Sequence, residues 1–486
     1  MTETDNTTAI VWFRDDLRLS DHAALTAAAQ SGSRLICLYV LGEERGMDRP
    51  LGGASRWWLA GSLRALDASL RKLGQTLVLR KGDSAGVIAQ LAREANASSV
   101  CWIDSELPEQ AKLGREAAQA LAHAGVAVRT FRSDLLATPQ EVRTKEARGL
   151  RVFTPFWKRV LSLEPIAGDR AQPLPAPRRL PPPLAGLASD RLEDWHLEPT
   201  HPDWAGGLRD QWIPGEASAQ RRLHDFLEDD IKGYATNRDR PDGDHTSRLS
   251  PHLRFGEISP RQVWHAAKFA AARNPPIARD VDKFLSEVGW REFSRHLLFD
   301  LPDLHEKNLQ SSFDAFPWRH DPTALRAWQR GRTGYPIVDA GMRQLWQTGI
   351  MHNRVRMVVA SFLVKHLLID WREGEKWFWD TLVDADPGSN PASWQWVAGS
   401  GADAAPYFRI FNPILQGEKF DPDGLYVSRW VPELAKLPPA LIHHPWDATP
   451  MELAAAGIAP GAYPEPIVDH KAARERALAA YAKTRG

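Results

Sequence analysis

The sequence predicts an α/β fold, an N-terminal doubly wound parallel five-stranded sheet domain, followed by a C-terminal all-α domain. Three observations predict it. Short β-branched and apolar runs alternate with helical stretches through residues 1–135. A Pro-rich stretch then interrupts regular structure, and beyond residue 215 only helical periodicity remains.

The apolar runs lie at residues 9–13, 35–40, 76–80, 100–103 and 126–131, and each reads as a strand. Helical stretches separate them at 21–30, with Ser20 as the expected N-cap, at 55–73 and at 84–96. Strand, helix, strand repeated in this way predicts parallel pairing through right-handed crossovers. No Gly-x-Gly-x-x-Gly follows the first run, so no dinucleotide site is expected there. Residues 136–215 form an interdomain connector, Pro-rich in its middle at 173–177 and 181–183. Residues 216–486 are expected to form the helical domain, with helices at 217–232, 280–301, 339–348, 353–371 and 471–483 and one opening at Ser259-Pro260.

The 486 residues are 43% hydrophobic and 25% charged, which supports a large core and excludes disordered or collagen-like chains. Sixty-one Lys and Arg balance 61 Asp and Glu, so an anionic partner has to be held by a local basic patch. Cys37 and Cys101 both fall in strand runs and read as reduced core thiols, against a disulfide framework or zinc cluster. Residues 1–8 are polar and acidic, unlike a secretory signal. The longest apolar helix candidate, 357–369, is interrupted by Lys365 and His366 and is too short for roughly 30 Å of hydrocarbon. A cytoplasmic protein without a membrane span is expected, with a monomer as the default. Ten of the 20 tryptophans fall from Trp290 to Trp430, which suggests a use for indole rings there.

Four constellations carry chemistry. On residues 351–357 (MHNRVRM), Asn353, Arg356 and Met357 share a helical face at i, i+3, i+4, while Arg354 is expected to point aside. Arg319, Arg326, Arg330, Arg332, Arg343, Arg354 and Arg356 are opposed mainly by Asp321 and Asp339, a patch suited to phosphate or simply a solvated face. Residues 246–250 (TSRLS) offer hydroxyls and a cation to phosphate oxygens, or form an ordinary capping turn. Glu287, Trp290 and Arg291 share a helical face, as a functional trio or as a salt bridge over a core indole. Residues 384–396 (DADPGSNPASWQW) read as a loop rich in acids and indoles. No supporting ligand cluster points to a metal, and no Gly-x-Ser-x-Gly elbow or Walker loop points to a hydrolase or phosphoryl transfer.

Together these motifs resemble the photolyase/cryptochrome family over essentially the whole chain, and most of all a bacterial cyclobutane pyrimidine dimer (CPD) photolyase. The matching residues are 11–18 (VWFRDDLR), 246–250, 290–293 (WREF), 334–339 (GYPIVD), 351–354 (MHNR), 394–396 (WQW) and 407–413 (YFRIFNP). The resemblance implies one FAD in the helical domain, folded into a U. Tyr234, Thr246, Ser247, Arg248, Leu249 and Ser250 would hold its phosphates, and Arg291, Asn353 and Arg356 would line it. Asp384, Ala385 and Asp386 would contact the flavin and ribose region, and Asn390 would face flavin N5. An amide there favours an anionic reduced flavin, whereas the carboxylate of plant cryptochromes can deliver a proton.

The resemblance further implies DNA containing pyrimidine dimers as the partner. Glu287, Trp290, Asn353, Arg354, Met357 and Trp396 would meet the flipped lesion, with Arg238 near the DNA backbone. Excited FADH⁻ would lend an electron that splits the ring and returns, and Trp394, Trp371 and Trp318 would photoreduce the flavin. Trp377 and Trp379 offer a branch or core packing. Phe284 and Ile350 replace Trp residues of some CPD enzymes, and His352-Asn353 matches CPD rather than (6-4) repair. The antenna is expected to be methenyltetrahydrofolate, with Glu109 as its contact, although Pro108 replaces a typical Asn and leaves a deazaflavin or flavin antenna open. The alternative function is a cryptochrome-like blue-light photoreceptor acting through a protein partner.

Overall fold

A computed structural model describes residues 7–31, 34–42, 49–163, 172–403 and 408–484. Residues 1–6 of the N-terminal stretch, 164–171 of the connector and Tyr407 of the last motif lie outside them. The chain divides into two compact units. One comprises residues 1–205, 212–229 and 247–302, the other residues 206–211, 230–246 and 303–486.

The first unit is built on five parallel strands, β1 (Thr8–Phe13), β2 (Arg34–Leu41), β3 (Leu77–Lys81), β4 (Ala97–Ile103) and β5 (Ala127–Phe131), in the order β3-β2-β1-β4-β5. Central β1 is buried at all six positions, as a strand covered on both faces must be. Helices α1 (Ala23–Ser31), α2 (Gly53–Lys72), α3 (Ser84–Glu94) and α4 (Pro108–His123) form the crossovers. Side chains of α3 and α4 join Ile10, Trp12, Ile36, Leu38, Val100 and Trp102 in one core. Cys37 and Cys101 are buried free thiols. Ser20 does not cap α1. Asp21 turns the chain at φ +51°, and His22 Nδ1 accepts the Leu25 N–H at 3.1 Å, so the helix starts later. Ser259 caps the helix Pro260–Arg273 reciprocally with Gln262, the form that Ser-Pro announces. The helix Ala278–Asp300 follows it.

The second unit is helical. Its core gathers Trp328, Trp371, Trp379 and Trp394 with the apolar faces of helices Pro336–Thr348, Asn353–Ser361, Trp371–Thr381 and Ser389–Ala398. Two expectations need correction. Residues 353–371 are not one helix: the α-helix ends at Ser361, a π-turn spans Phe362–His366, Leu368 takes φ +57°, and a new helix begins at Trp371. Asp370 caps it by accepting the Arg372 N–H at 3.0 Å. The π-turn directs Lys365 inward, where its ammonium donates to the Arg409 carbonyl at 2.6 Å and burial pushes its pKa down to about 7. The second correction concerns residues 384–396, of which 389–396 are helical rather than loop. Pro391 falls in the first turn, where a missing N–H costs little, and Asp386 accepts the Gly388 and Ser389 N–H groups at 2.9 and 2.8 Å. Among the described residues no helix is long and apolar enough to cross a membrane.

The end of β1 is anchored by Arg18, wholly buried, which donates to both Asp134 oxygens at 2.6 and 2.8 Å and to the carbonyls of Ser20, Asp21 and Gly256. Asp134→Ala removes the carboxylate bonded to that buried guanidinium, leaving only the more distant field of Asp16 and Asp21. It is expected to destabilise the first unit by about 3–5 kcal/mol, measured by urea unfolding, with Asp134→Asn costing less.

Candidate cofactor and DNA site

In the second unit, the helix Asn353–Ser361 turns Val355, Val358 and Val359 into the core and leaves Asn353 exposed and Arg354, Arg356 and Met357 half-buried. Arg356 Nη2 donates to both Asp384 oxygens at 3.0 and 2.9 Å, and its Nε donates to the Met351 carbonyl at 2.8 Å. Arg354 does not point aside. Its guanidinium donates to Asp239 at 2.7 Å, lies 4.3 Å from the Phe420 ring centroid and reaches Met357 Sδ at 3.9 Å, because i and i+3 are neighbours on a helix as well.

The expected arginine patch is therefore opposed by more acid than its own segment contains. Arg343 pairs with Glu433 at 2.8 Å, Arg354 with Asp239 and Arg356 with Asp384. Asp339 is spent elsewhere, accepting from Thr333, Gly334 and Tyr463 in a fully buried position.

Asn390 is buried, and its Nδ2 meets two acceptors, the Glu375 carbonyl at 3.1 Å and Glu375 Oε1 at 2.7 Å. Only an N–H can face two acceptors, so the amide is oriented with its carbonyl oxygen away from Glu375. Glu375 was missed from sequence because its neighbours (REGEK) look like a surface run. Its spacing from Trp371 and Trp379, four residues to either side, was the available signal. Ala385 is buried, and Asp386 uses one oxygen as a helix cap. Tyr234 is buried, with Arg238 Cζ 5.6 Å from its ring centroid, and Thr246 is half-buried.

The indoles form one family of contacts. Trp394 packs edge-on to Phe378 and Trp328, with centroids at 5.0 and 6.1 Å. Trp371 is fully buried in the same cluster and donates its Nε1 hydrogen to Asn308 at 2.9 Å, while half-buried Trp318 packs against that cluster from outside. Trp379 is a core residue, but Trp377 is half-buried and stacks at 5.9 Å on the exposed Trp346. Trp396 is half-buried, with its Nε1 hydrogen on the Asp403 carbonyl at 3.0 Å.

In the first unit, Glu287, Trp290 and Arg291 are half-buried along one helix, each anchored by a different neighbour. Lys283 donates to Glu287 at 2.8 Å, and Phe153 stacks on Trp290 at 3.9 Å. Arg291 donates to Glu292 at 2.8 Å, and burial raises the Glu292 pKa. Phe284 packs on Phe226 at 4.8 Å. In the turn carrying Ser247 and exposed Ser250, Arg248 takes φ +50° and lies 4.6 Å from the Trp212 ring centroid, and Leu249 is core. A cleft opens at the carboxyl ends of β1 and β4, lined by Arg14, Asp15, Asp104, Glu106 and Gln110 among others. This is where strand order reverses, the usual ligand position of a doubly wound sheet. Leu107 and Gln110 line it, whereas Glu109, half-buried in the first turn of α4, is not among its lining residues.

These side chains fit an FAD. Within the second unit, the oriented amide of Asn390 suits a ring nitrogen, Arg356 is held in place by Asp384, and Thr246 carries a hydroxyl suited to a phosphate oxygen.

Residues 284–483 match the FAD binding domain of DNA photolyase, and residues 9–178 match the DNA photolyase domain. The chain is 54% identical over 475 residues to a deoxyribodipyrimidine photo-lyase of Agrobacterium fabrum, covering 97% of each. It is 40% identical to cryptochrome-2 of Arabidopsis thaliana, over 98% of this chain and 79% of that protein. Its fold superposes on a bacterial class III photolyase from Agrobacterium tumefaciens with a TM-score of 0.95 at 52% identity, covering 100% and 99% of the two chains. With an FAD-binding domain and a photolyase domain in one chain, the protein belongs to the photolyase/cryptochrome family.

Proposed function

We propose that this enzyme repairs DNA in the cytoplasm by splitting cyclobutane pyrimidine dimers under blue light. The observation that carries the reading is Asn390, a neutral amide clamped by Glu375 at the position that faces flavin N5 in the family. Bound FAD, reduced to FADH⁻, supplies the excited electron that opens the cyclobutane ring and receives it back. An amide at that position offers no acidic proton to the flavin, which favours the electron donor over the proton-coupled chemistry of a photoreceptor.

The chain's own residues divide the remaining work. Arg356, fixed by Asp384, lines the cofactor with Asn353, Asp386 and Arg291, while Tyr234 and the Thr246–Ser250 hydroxyls, with Arg248, hold its phosphates. Trp290 and Trp396 offer apolar ring surface to an extruded dimer, which pairs and stacks poorly and so costs less to flip than an intact pair. Met357 offers apolar surface to the lesion, and Glu287 hydrogen-bonds the pyrimidine edge after exchanging Lys283 for it. Arg238 and Arg354 meet flanking phosphates, and the Arg238 contact makes binding weaken as salt rises. Trp394, Trp371 and Trp318 carry electrons inward from the surface to restore the reduced cofactor. The cleft beside β1 and β4 is the seat of an antenna, with methenyltetrahydrofolate our first choice and a deazaflavin or flavin the others, and Glu109 at its edge.

Blue light on chemically reduced protein is expected to restore dimer-containing oligothymidylate, read by chromatography. DNA binding without light-dependent restoration would turn the assignment towards the photoreceptor. Glu287→Ala should lower the repair yield per absorbed photon by more than it changes dimer affinity, for which less than about threefold is expected from loss of a half-exposed polar contact. Trp371→Phe should block photoreduction of oxidised protein, seen as loss of the light-induced absorbance change, yet leave repair by pre-reduced protein intact. Loss of both would remove Trp371 from the electron path.

A further inference from the structure

Asp239 follows the short helix Tyr234–Asn237 and the Arg238 that ends it. Its carboxylate holds Arg354, a partner 115 positions away in sequence, through one oxygen at 2.7 Å. Both side chains keep solvent access, 37% for Asp239 and 20% for Arg354. The guanidinium is incompletely used. Nη2 serves the carboxylate, Nη1 meets only the Met357 sulfur at 3.9 Å, and Nε is buried without a hydrogen-bond partner among the described residues. Phe420 covers it at 4.3 Å, and Lys419 Nζ lies 5.1 Å from the same ring. A guanidinium presents its donors as a planar fork that matches two oxygens of one phosphate. Here the fork is held by a single-oxygen contact, with a donor left over.

We propose that Asp239 is a displaceable counter-ion, which holds Arg354 in the free protein and releases it to a DNA phosphate on binding. The inference rests on the reading of Arg354 as a DNA contact and adds a positioning residue that limits the affinity of that contact. Its signature lies in the salt dependence. A cation that neutralises a phosphate releases about 0.9 condensed counter-ion from the duplex. If the same cation must first leave a carboxylate, that carboxylate regathers a small cation from solution, and the two changes largely cancel. The Arg354 contact then contributes almost nothing to the slope of log K against log salt, and the carboxylate left behind repels the incoming phosphate.

Binding of undamaged and dimer-containing duplex DNA to the FAD-loaded protein, titrated from low to moderate salt, tests this with Asp239→Asn, Asp239→Ser and Arg354→Gln, singly and combined. Both Asp239 variants are expected to bind either DNA about three- to tenfold tighter at low salt and to steepen the slope by about 0.9. Arg354→Gln should weaken binding with little change of slope in the parent, but should remove the extra 0.9 in the Asp239→Asn background. A merely structural Asp239 would give the opposite sign, with weaker binding and no steeper slope. If Arg354→Gln weakens binding while the Asp239 variants leave affinity and slope unchanged or lower them, the counter-ion inference fails and Arg354 remains a DNA contact. If Arg354→Gln has no effect in either background, the assignment of Arg354 to DNA fails, and the inference with it.

Discussion

The two-pronged bond between Arg356 and Asp384 is the constraint on which the second unit's site rests. Arg356 belongs to the helix Asn353–Ser361, Asp384 to the junction between helices Trp371–Thr381 and Ser389–Ala398, and Arg356 Nε also holds the Met351 carbonyl. A backbone bond from Val383 N–H to the Gly349 carbonyl at 2.8 Å runs alongside. The junction is thereby fixed against the helix it must face, and Asp386, two residues on, caps the helix that carries Asn390, Trp394 and Trp396. The rotation of that helix sets where the Asn390 amide meets Glu375 and where the Trp394 ring lies. Gly374 completes the fit, since a Cβ there would stand 2.2 Å from Trp394 Cη2. Glu375 is the next residue, so close packing of the indole and orientation of the amide are settled within one turn.

Charge follows the same logic. The chain is neutral overall, and three of the arginines assigned a role are matched by an acid, two of them by an acid distant in sequence: Arg354 by Asp239, Arg356 by Asp384, and Arg291 by its neighbour Glu292. Such pairs keep a partly buried guanidinium from standing uncompensated, and a half-exposed pair contributes only about 0–1 kcal/mol net. For Arg354 and Asp239, the most solvent-open of these three pairs, that low net worth is what the proposed exchange requires.

Much of this was legible in the sequence, and the boundary is physical. All five strands fall where the apolar runs sit, although only central β1 is covered at every position and edge strand β5 has no buried residue. The Ser259 cap was equally local. The Ser20 cap failed because Asp21 enters the left-handed region and hands the role to His22, a backbone choice that composition does not disclose. The break after Ser361 was hidden because apolar periodicity runs on through a π-turn, whose inward Lys365 and His366 bond to Arg409 and His470 far along the chain. The expected basic patch was overstated for the same reason, since its opposing acids come from other segments. Glu375 looked like a surface residue until the amide it holds was placed beside it.

The tryptophans show how placement turns composition into chemistry. Trp371 is fully buried, and its indole N–H donates to the amide oxygen of Asn308, a group far too weak a base to take the proton from an oxidised ring. On the proposed path, a positive charge arriving at Trp371 therefore keeps its proton and stays mobile. Trp318 is half-buried, where water can reach the ring and accept that proton. On that path, loss of the proton at half-buried Trp318 but not at fully buried Trp371 would make the outward step hard to reverse. Trp328, with its N–H on the Val359 carbonyl and its ring against Trp394, stays within the core and holds the innermost indole in position.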